Sequence, residues 1–244
     1  MTESPATGNK LAIVGAGSAG LIALFYAARR LTGWQIRCFE RSGDVLGAWG
    51  DPYPGFVSTS TKYTTQFACH RLFDAATDGE SARQRSDFFR DGEYGAYLRS
   101  FVRHHRLAPY IRLHSEVRRL ERIGGRWRLT IAAPSEVQDG ATQDVAEEDF
   151  DALILATGLA ETPKAVPCEV EQLESLDDAR SVRDKTVVVL GGGESAADIA
   201  NRLADPALGN RVLMSLRTGI RVSPRYHPIK GVPSDFLRTR LMLS

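Results

Sequence analysis

Residues 10–20, KLAIVGAGSAG, decide how this chain is read. Residues 11–14 are a short apolar run of the kind that forms a buried parallel strand. Gly15, Gly17 and Gly20 follow at G-x-G-x-x-G spacing, with Ala16, Ser18 and Ala19 between them. Residues 21–31, LIALFYAARRL, are rich in Ala and Leu and predict a helix. In such a turn the first glycine permits the tight bend. The second, having no side chain, lets a pyrophosphate approach the backbone. The third brings the helix close to the strand. The helix N-terminus adds unpaired N–H groups and a partial positive charge.

A glycine pattern alone is weak, but this one has its context. Residues 35–39, QIRCF, predict a second strand, closed by Glu40 and followed by Arg41. Glu40 lies about 20 residues past the last glycine, where an acid binds ribose hydroxyls. The pattern then returns. Residues 185–190, KTVVVL, predict a strand, and 191–196, GGGESA, a turn through Gly191, Gly193, Glu194, Ser195 and Ala196. Residues 197–203 begin a helix, and 211–217, RVLMSLR, predict the next strand. That strand ends on Ser215 and Arg217 with no acid. An acid would repel a 2′-phosphate, whereas an arginine pairs with it.

Between the two units the residues are more varied. Residues 41–55 are dense in Gly and Pro and predict a loop. In it Gly47 and Trp49 either cover a bound cofactor or anchor the loop. Residues 56–67, FVSTSTKYTTQF, hold six Ser or Thr and predict an extended segment lining a polar cavity, or an edge strand. Lys62 and Gln66 on it are candidates for lining that cavity, against an ordinary surface role. Residues 68–86 read as an exposed loop. A helix within 87–107 carries Tyr94, Tyr97, Leu98, Phe101 and Val102 on one stripe. His104 and His105, among arginines, read as solvated. Residues 116–133 predict a hairpin turning at Gly124 and Gly125, and 134–149 a loop with a third strand. Residues 150–158, FDALILATG, predict a buried strand, whose Thr-Gly end lets backbone approach a ligand.

Lys and Arg number 31 against 30 Asp and Glu, a formal net charge of +1, so there is no general electrostatic footprint for nucleic acid. The three cysteines, Cys38, Cys69 and Cys168, form no close pair, which points to a reducing compartment and away from zinc. No run approaches the ~20 apolar residues of a membrane span. The polar residues 1–9 read as a frayed tail without a signal peptide, so the expected location is cytoplasmic.

In order along the chain, GAGSAG, Glu40, Gly47-Ala48-Trp49, STKYTTQF (60–67), Ala156-Thr157-Gly158 with Pro163, GGGESA and Ser215-x-Arg217 resemble the N-terminal half of the flavin-containing monooxygenases. That broad family includes N-hydroxylating and Baeyer–Villiger enzymes. The resemblance implies an α/β chain of two Rossmann-like dinucleotide-binding domains. Residues 1–162 would be an FAD domain with an inserted β-meander, and 163–244 a partial NADPH domain. It implies FAD on residues 15–20 and Glu40, with Gly47 and Trp49 by the flavin, Val117 near the adenine and residues 156–158 as the exit from that domain. It implies NADPH on residues 191–196, Ser215 and Arg217. NADPH would reduce FAD, and a C4a-(hydro)peroxyflavin would oxygenate a small organic substrate with O2.

Two departures stand out. The family's F-x-G-x-x-x-H before the second turn is missing from 166–185, and Ser58–Thr61 stand where many members carry an Asn by the flavin. No residue is marked as a general base. The resemblance also implies about as much chain again, supplied here by a second polypeptide or a continuation. Competing readings are an NADPH-dependent flavin reductase or oxidase, a disulfide oxidoreductase, and a non-catalytic cofactor-binding subunit of a heteromeric enzyme.

Overall fold

A computed structural model of the chain describes residues 8–50, 52–53, 55–74, 87–132, 145–158, 169, 179–219 and 223–237. The expected tail to residue 7, the loops at 75–86 and 134–144, the stretch 161–167 and Cys168 lie outside them. The chain separates into two compact units, Met1–Asp51 with Gly92–Ala165 and Pro52–Asp91 with Val166–Ser244. The sequence boundary at 162/163 assigns residues 52–91 to the first domain; in the structure they group with the second unit.

In the first unit, β1 (Lys10–Val14) lies between β2 (Gln35–Phe39) and β9 (Ala152–Leu155), with β5 (Ile111–Arg112) beyond β2. All the pairings are parallel, β1 matching β2 from Lys10↔Gln35 to Val14↔Phe39. Helix α1 (Ser18–Arg30) lays Leu21, Leu24, Phe25 and Ala27 against this sheet. Helix α3 (Glu93–His104) buries Tyr94, Tyr97, Leu98, Phe101 and Val102, the stripe the periodicity predicts. Phe101 meets Phe25 of α1 at 5.6 Å. His105 is not simply solvated: its ring packs on Phe25 at 4.6 Å and Phe101 at 4.7 Å.

The meander is β6 (Glu116–Ile123), β7 (Arg126–Ala132) and β8 (Val145–Phe150), paired antiparallel in that order. Gly124 and Gly125 have φ of 58° and 84°, the two positive values a tight hairpin turn requires. Ala12, Val14 and Phe39 of the sheet share one core cluster with Leu129, Ile131 and Phe150 of the meander. The buried strand expected over 150–158 divides at Asp151. Phe150 ends β8, and β9 begins at Ala152. Asp151 makes that corner, its carboxylate accepting the Lys10 N–H at 2.7 Å and a bond from Arg126 at 2.9 Å. β9 is an edge strand, so Leu155 is exposed rather than buried.

In the second unit, β10 (Thr186–Leu190) and β11 (Arg211–Ser215) form a parallel pair with α4 (Glu194–Leu203) packed on both. Ile199, Ala200 and Leu203 are the buried face of α4. Asn210 pins the entry to β11, accepting from Lys185 N–H and donating to the carbonyls of Val182 and Leu203. The segment expected to be extended over 56–67 changes state midway: β3 (Val57–Thr61) pairs antiparallel with β4 (Phe88–Arg90), then α2 (Lys62–Thr65) turns away. Thr61 accepts the Thr64 N–H and so caps that turn, a role its hydroxyl makes available at helix starts. Among the described residues no helix is long and apolar enough to cross a membrane.

Phe150 is fully enclosed and meets Phe39 edge-on at 5.8 Å. Phe150→Ala is expected to cost about 3–5 kcal/mol. A urea titration followed by tryptophan fluorescence measures it, and an unshifted midpoint would remove this contact from the account of how meander and sheet are joined.

Candidate dinucleotide-binding site

The first turn is built by crowding. Gly15 donates its N–H to the Phe39 carbonyl at 2.8 Å, tying the end of β1 to the end of β2. Gly15 has φ +98°, and a Cβ there would stand 2.3 Å from the Ala156 oxygen. A Cβ on Gly20 would stand 1.8 Å from the Gly15 oxygen, so no side chain fits between α1 and the turn. Gly17 precedes α1 with no side-chain cap. Its missing Cβ faces Gly47 Cα at 3.4 Å, and Gly47 itself has φ +53°. Two glycine backbones therefore touch, joining the first glycine turn to the loop of 41–55.

Glu40 is buried at the end of β2. Its Oε2 accepts the Ala16 N–H at 2.8 Å; Oε1 accepts the Ser42 N–H at 3.0 Å and the Ser42 hydroxyl at 2.9 Å. A carboxylate has about four acceptor positions, so three bonds fix its orientation and leave capacity for a hydroxyl. Ser42 is a partner that the sequence reading missed; a hydroxyl two residues past a strand-end acid is the signal that marks it. Cys38 lies beside Glu40, with its thiol 3.6 Å from the Gly15 oxygen. Burial, and then the Glu40 charge, push that thiol up to about 12, so it stays protonated and is no redox nucleophile.

Trp49 sits on a short 3-10 turn, Gly47–Trp49, and packs on Tyr94 of α3 at 4.7 Å. Trp49 thus anchors its loop on α3, and the Gly17 contact places the same turn against the first glycine turn. Ala19 and Arg41 are exposed. Ala156 donates its N–H to the Val14 carbonyl at 2.8 Å, and Thr157 and Gly158 (φ +87°) continue exposed beyond it. Val117 lies on β6, packed against the shared core cluster. The structure thus brings residues 15–20, Glu40, Gly47, Trp49 and Ala156 together.

The second turn repeats the first. Gly191 donates its N–H to the Ser215 carbonyl at 3.0 Å, as Gly15 does to Phe39. Gly191 has φ +121°, and Gly193, like Gly17, precedes its helix without a side-chain cap. Nothing lies within 4 Å of where a Gly193 Cβ would stand, so its backbone is approachable. By this equivalence Ala196 takes the place of Gly20, Gly192 that of Ala16, and Leu216 that of Glu40. The Leu216 side chain reaches 2.9 Å from a Cβ on Gly192, so an apolar group occupies the place where the first turn has its carboxylate. Ser195 lies in the first turn of α4, and Ser215 and Arg217 are exposed at and beyond the end of β11.

Lys62 and Gln66 belong to neither turn. Gln66 spends its side chain on backbone: Nε2 donates to Phe73 O at 2.6 Å and Tyr63 O at 3.3 Å, and Oε1 accepts from Leu72 and Phe73. Lys62 is buried, its ammonium 5.8 Å and 5.7 Å from the Phe73 and Phe89 rings. Both are internal struts of α2 and the residues after it rather than surface groups.

A strand, glycine turn and helix, followed by a strand that returns to the turn, occurring twice with one buried acid, define a two-dinucleotide flavoprotein fold. The profile of the pyridine nucleotide-disulphide oxidoreductases matches residues 9–220, and the chain belongs to that family. It is 25% identical over 245 residues to a 4-hydroxybenzoate brominase (decarboxylating) from Marinomonas mediterranea, covering 96% of this chain and 44% of that protein. It is 27% identical over 233 residues to a flavin-containing monooxygenase, FMO GS-OX-like 7, from Arabidopsis thaliana, covering 82% of this chain and 48% of that one. The fold superposes on the S-allyl-L-cysteine S-oxygenase of Allium sativum with a TM-score of 0.69 at 21% identity, over 91% of this chain and 54% of that one. The resemblance to flavin-containing monooxygenases read from the motifs therefore holds, and the chain spans about half the length of the curated relatives it matches.

Gly20→Ala is expected to open the turn and lose a bound dinucleotide, because its Cβ would overlap backbone. Gly17→Val is expected to do the same through Gly47. Absorbance of the purified variants near the flavin bands reads this, and normal flavin content in both would remove the first turn from the site. Native Cys38 is expected to resist iodoacetamide at pH 8 and to react once unfolded, as peptide mass spectrometry would show; rapid native labelling would contradict its burial.

Proposed function

We propose that this chain provides the FAD- and NADPH-binding part of a flavin-dependent monooxygenase. The repeated turn carries the reading: the same backbone bond forms twice, once beside a carboxylate and once beside Leu216 and Arg217. Residues 15–20 would hold the FAD pyrophosphate on amides at the start of α1. Glu40, oriented by Ala16 and Ser42, would take the adenosine ribose. Residues 191–196 would hold the NADPH pyrophosphate, and Arg217 would meet its 2′-phosphate where an acid would repel it. Arg41, Val117, Thr157, Gly158 and Ser215 are proposed to line these cofactors, on the family resemblance.

FAD when bound supplies the oxygen chemistry, with NADPH as its reductant, O2 as co-substrate and a small organic molecule as acceptor. The chain's own part is to orient both cofactors, and no side chain need act as a base. A continuation or second polypeptide would complete the enzyme. The open face of β10 and β11, where Val188, Leu190 and Leu213 are exposed, supports this. A reductase without oxygenation is the second reading, favoured by the missing F-x-G-x-x-x-H in 166–185.

The purified full chain is expected to be yellow and to bind NADPH. Arg217→Ala is expected to weaken NADPH roughly tenfold to hundredfold, the worth of a charge-assisted bond, and to leave NADH nearly unchanged. Calorimetric titration with each nucleotide decides it; equal loss for both would show that Arg217 does not meet the 2′-phosphate.

A further inference from the structure

Glu194 presents a difficulty for the second turn. It is the first residue of α4, directly after Gly193, in the turn proposed to hold a doubly negative pyrophosphate. A free carboxylate there is attracted to the same helix N-terminus and competes with a phosphate for it. The carboxylate is not free. Thr59 of β3 donates its hydroxyl to Glu194 Oε2 at 2.9 Å.

The bond is one of three along a single stripe of α4, at successive i, i+4 positions. Asp198 Oδ2 accepts from the Tyr53 hydroxyl at 3.0 Å and from Arg202 at 2.9 Å. Arg202 in turn donates to the Gly55 carbonyl and lies over the Tyr53 ring at 5.5 Å. Gly55 has φ +75°, and a Cβ there would stand 2.5 Å from the Arg202 guanidinium. Tyr53, Gly55 and Thr59 thus hold α4 at three points, and Thr59 meets the one nearest the turn.

We propose that Thr59 is a positioning residue for the second turn: it draws the Glu194 carboxylate aside so that the amides of α4 remain open to a pyrophosphate. This rests on the reading of that turn as the NADPH site. Thr59 would touch no cofactor. It acts through Glu194, and its loss matters only while Glu194 carries a charge.

The test is a double-mutant cycle in the full chain, read as Kd for NADP+ and for 2′-AMP, which carries the 2′-phosphate without a pyrophosphate. Thr59→Val is expected to weaken NADP+ roughly tenfold, the worth of a redirected charged group, and to leave 2′-AMP unchanged. Thr59→Ser keeps the hydroxyl and is expected to bind as the parent does. In a Glu194→Gln background, Thr59→Val is expected to have no further effect. Equal weakening of NADP+ in both backgrounds, or weakening of 2′-AMP alongside it, would make Thr59 merely structural and overturn the proposal. Unchanged NADP+ binding in Thr59→Val would overturn it too. A parent chain that binds neither ligand would remove the NADPH reading itself, and the role of Thr59 with it.

Discussion

One backbone bond, from the first glycine of a turn to the last carbonyl of the following strand, sets the geometry of each unit. Gly15 to Phe39 and Gly191 to Ser215 are the two instances. The bond forces the chain to leave β1 or β10 sharply, which requires positive φ at that glycine. It aims the helix that follows back over the two strands. In the first unit the packing is tight enough that Gly20 can carry no side chain. In the second, Ala196 fits, with its Cβ 3.8 Å from where one on Gly191 would stand. The difference in the third small residue is therefore a difference in how closely helix and strand approach.

The same bond explains how the two turns diverge chemically. It fixes the position of the residue that follows the strand, so whatever stands there faces the second residue of the turn. In the first unit this is Glu40 on Ala16, a charge-assisted bond in a buried place. In the second it is Leu216 against Gly192. A shared scaffold thus carries a polar and an apolar version of one contact.

The turns, their strands and helices, and the meander were legible because each is local. Glycine spacing, apolar runs and the Gly124-Gly125 dipeptide fix them within a few residues. What was not legible was long-range. Residues 52–91 follow the first domain in sequence yet group with the second unit, because Tyr53, Gly55 and Thr59 find partners on α4 more than a hundred residues away. The polarity of Lys62 and Gln66 points to a cavity lining only if their segment is a strand. The Thr61 cap instead starts a helical turn, and both side chains point inward. Thr59 is one of six Ser or Thr residues in its segment, and nothing in its neighbours distinguishes it from the others.

The exposed Val188, Leu190 and Leu213 bear on how such a chain behaves in solution. A two-stranded parallel pair with an uncovered apolar face has little to resist sticking to its own kind, since contact with another molecule removes the same surface from water as correct covering would. Covering that face would then be as much a matter of timing as of affinity.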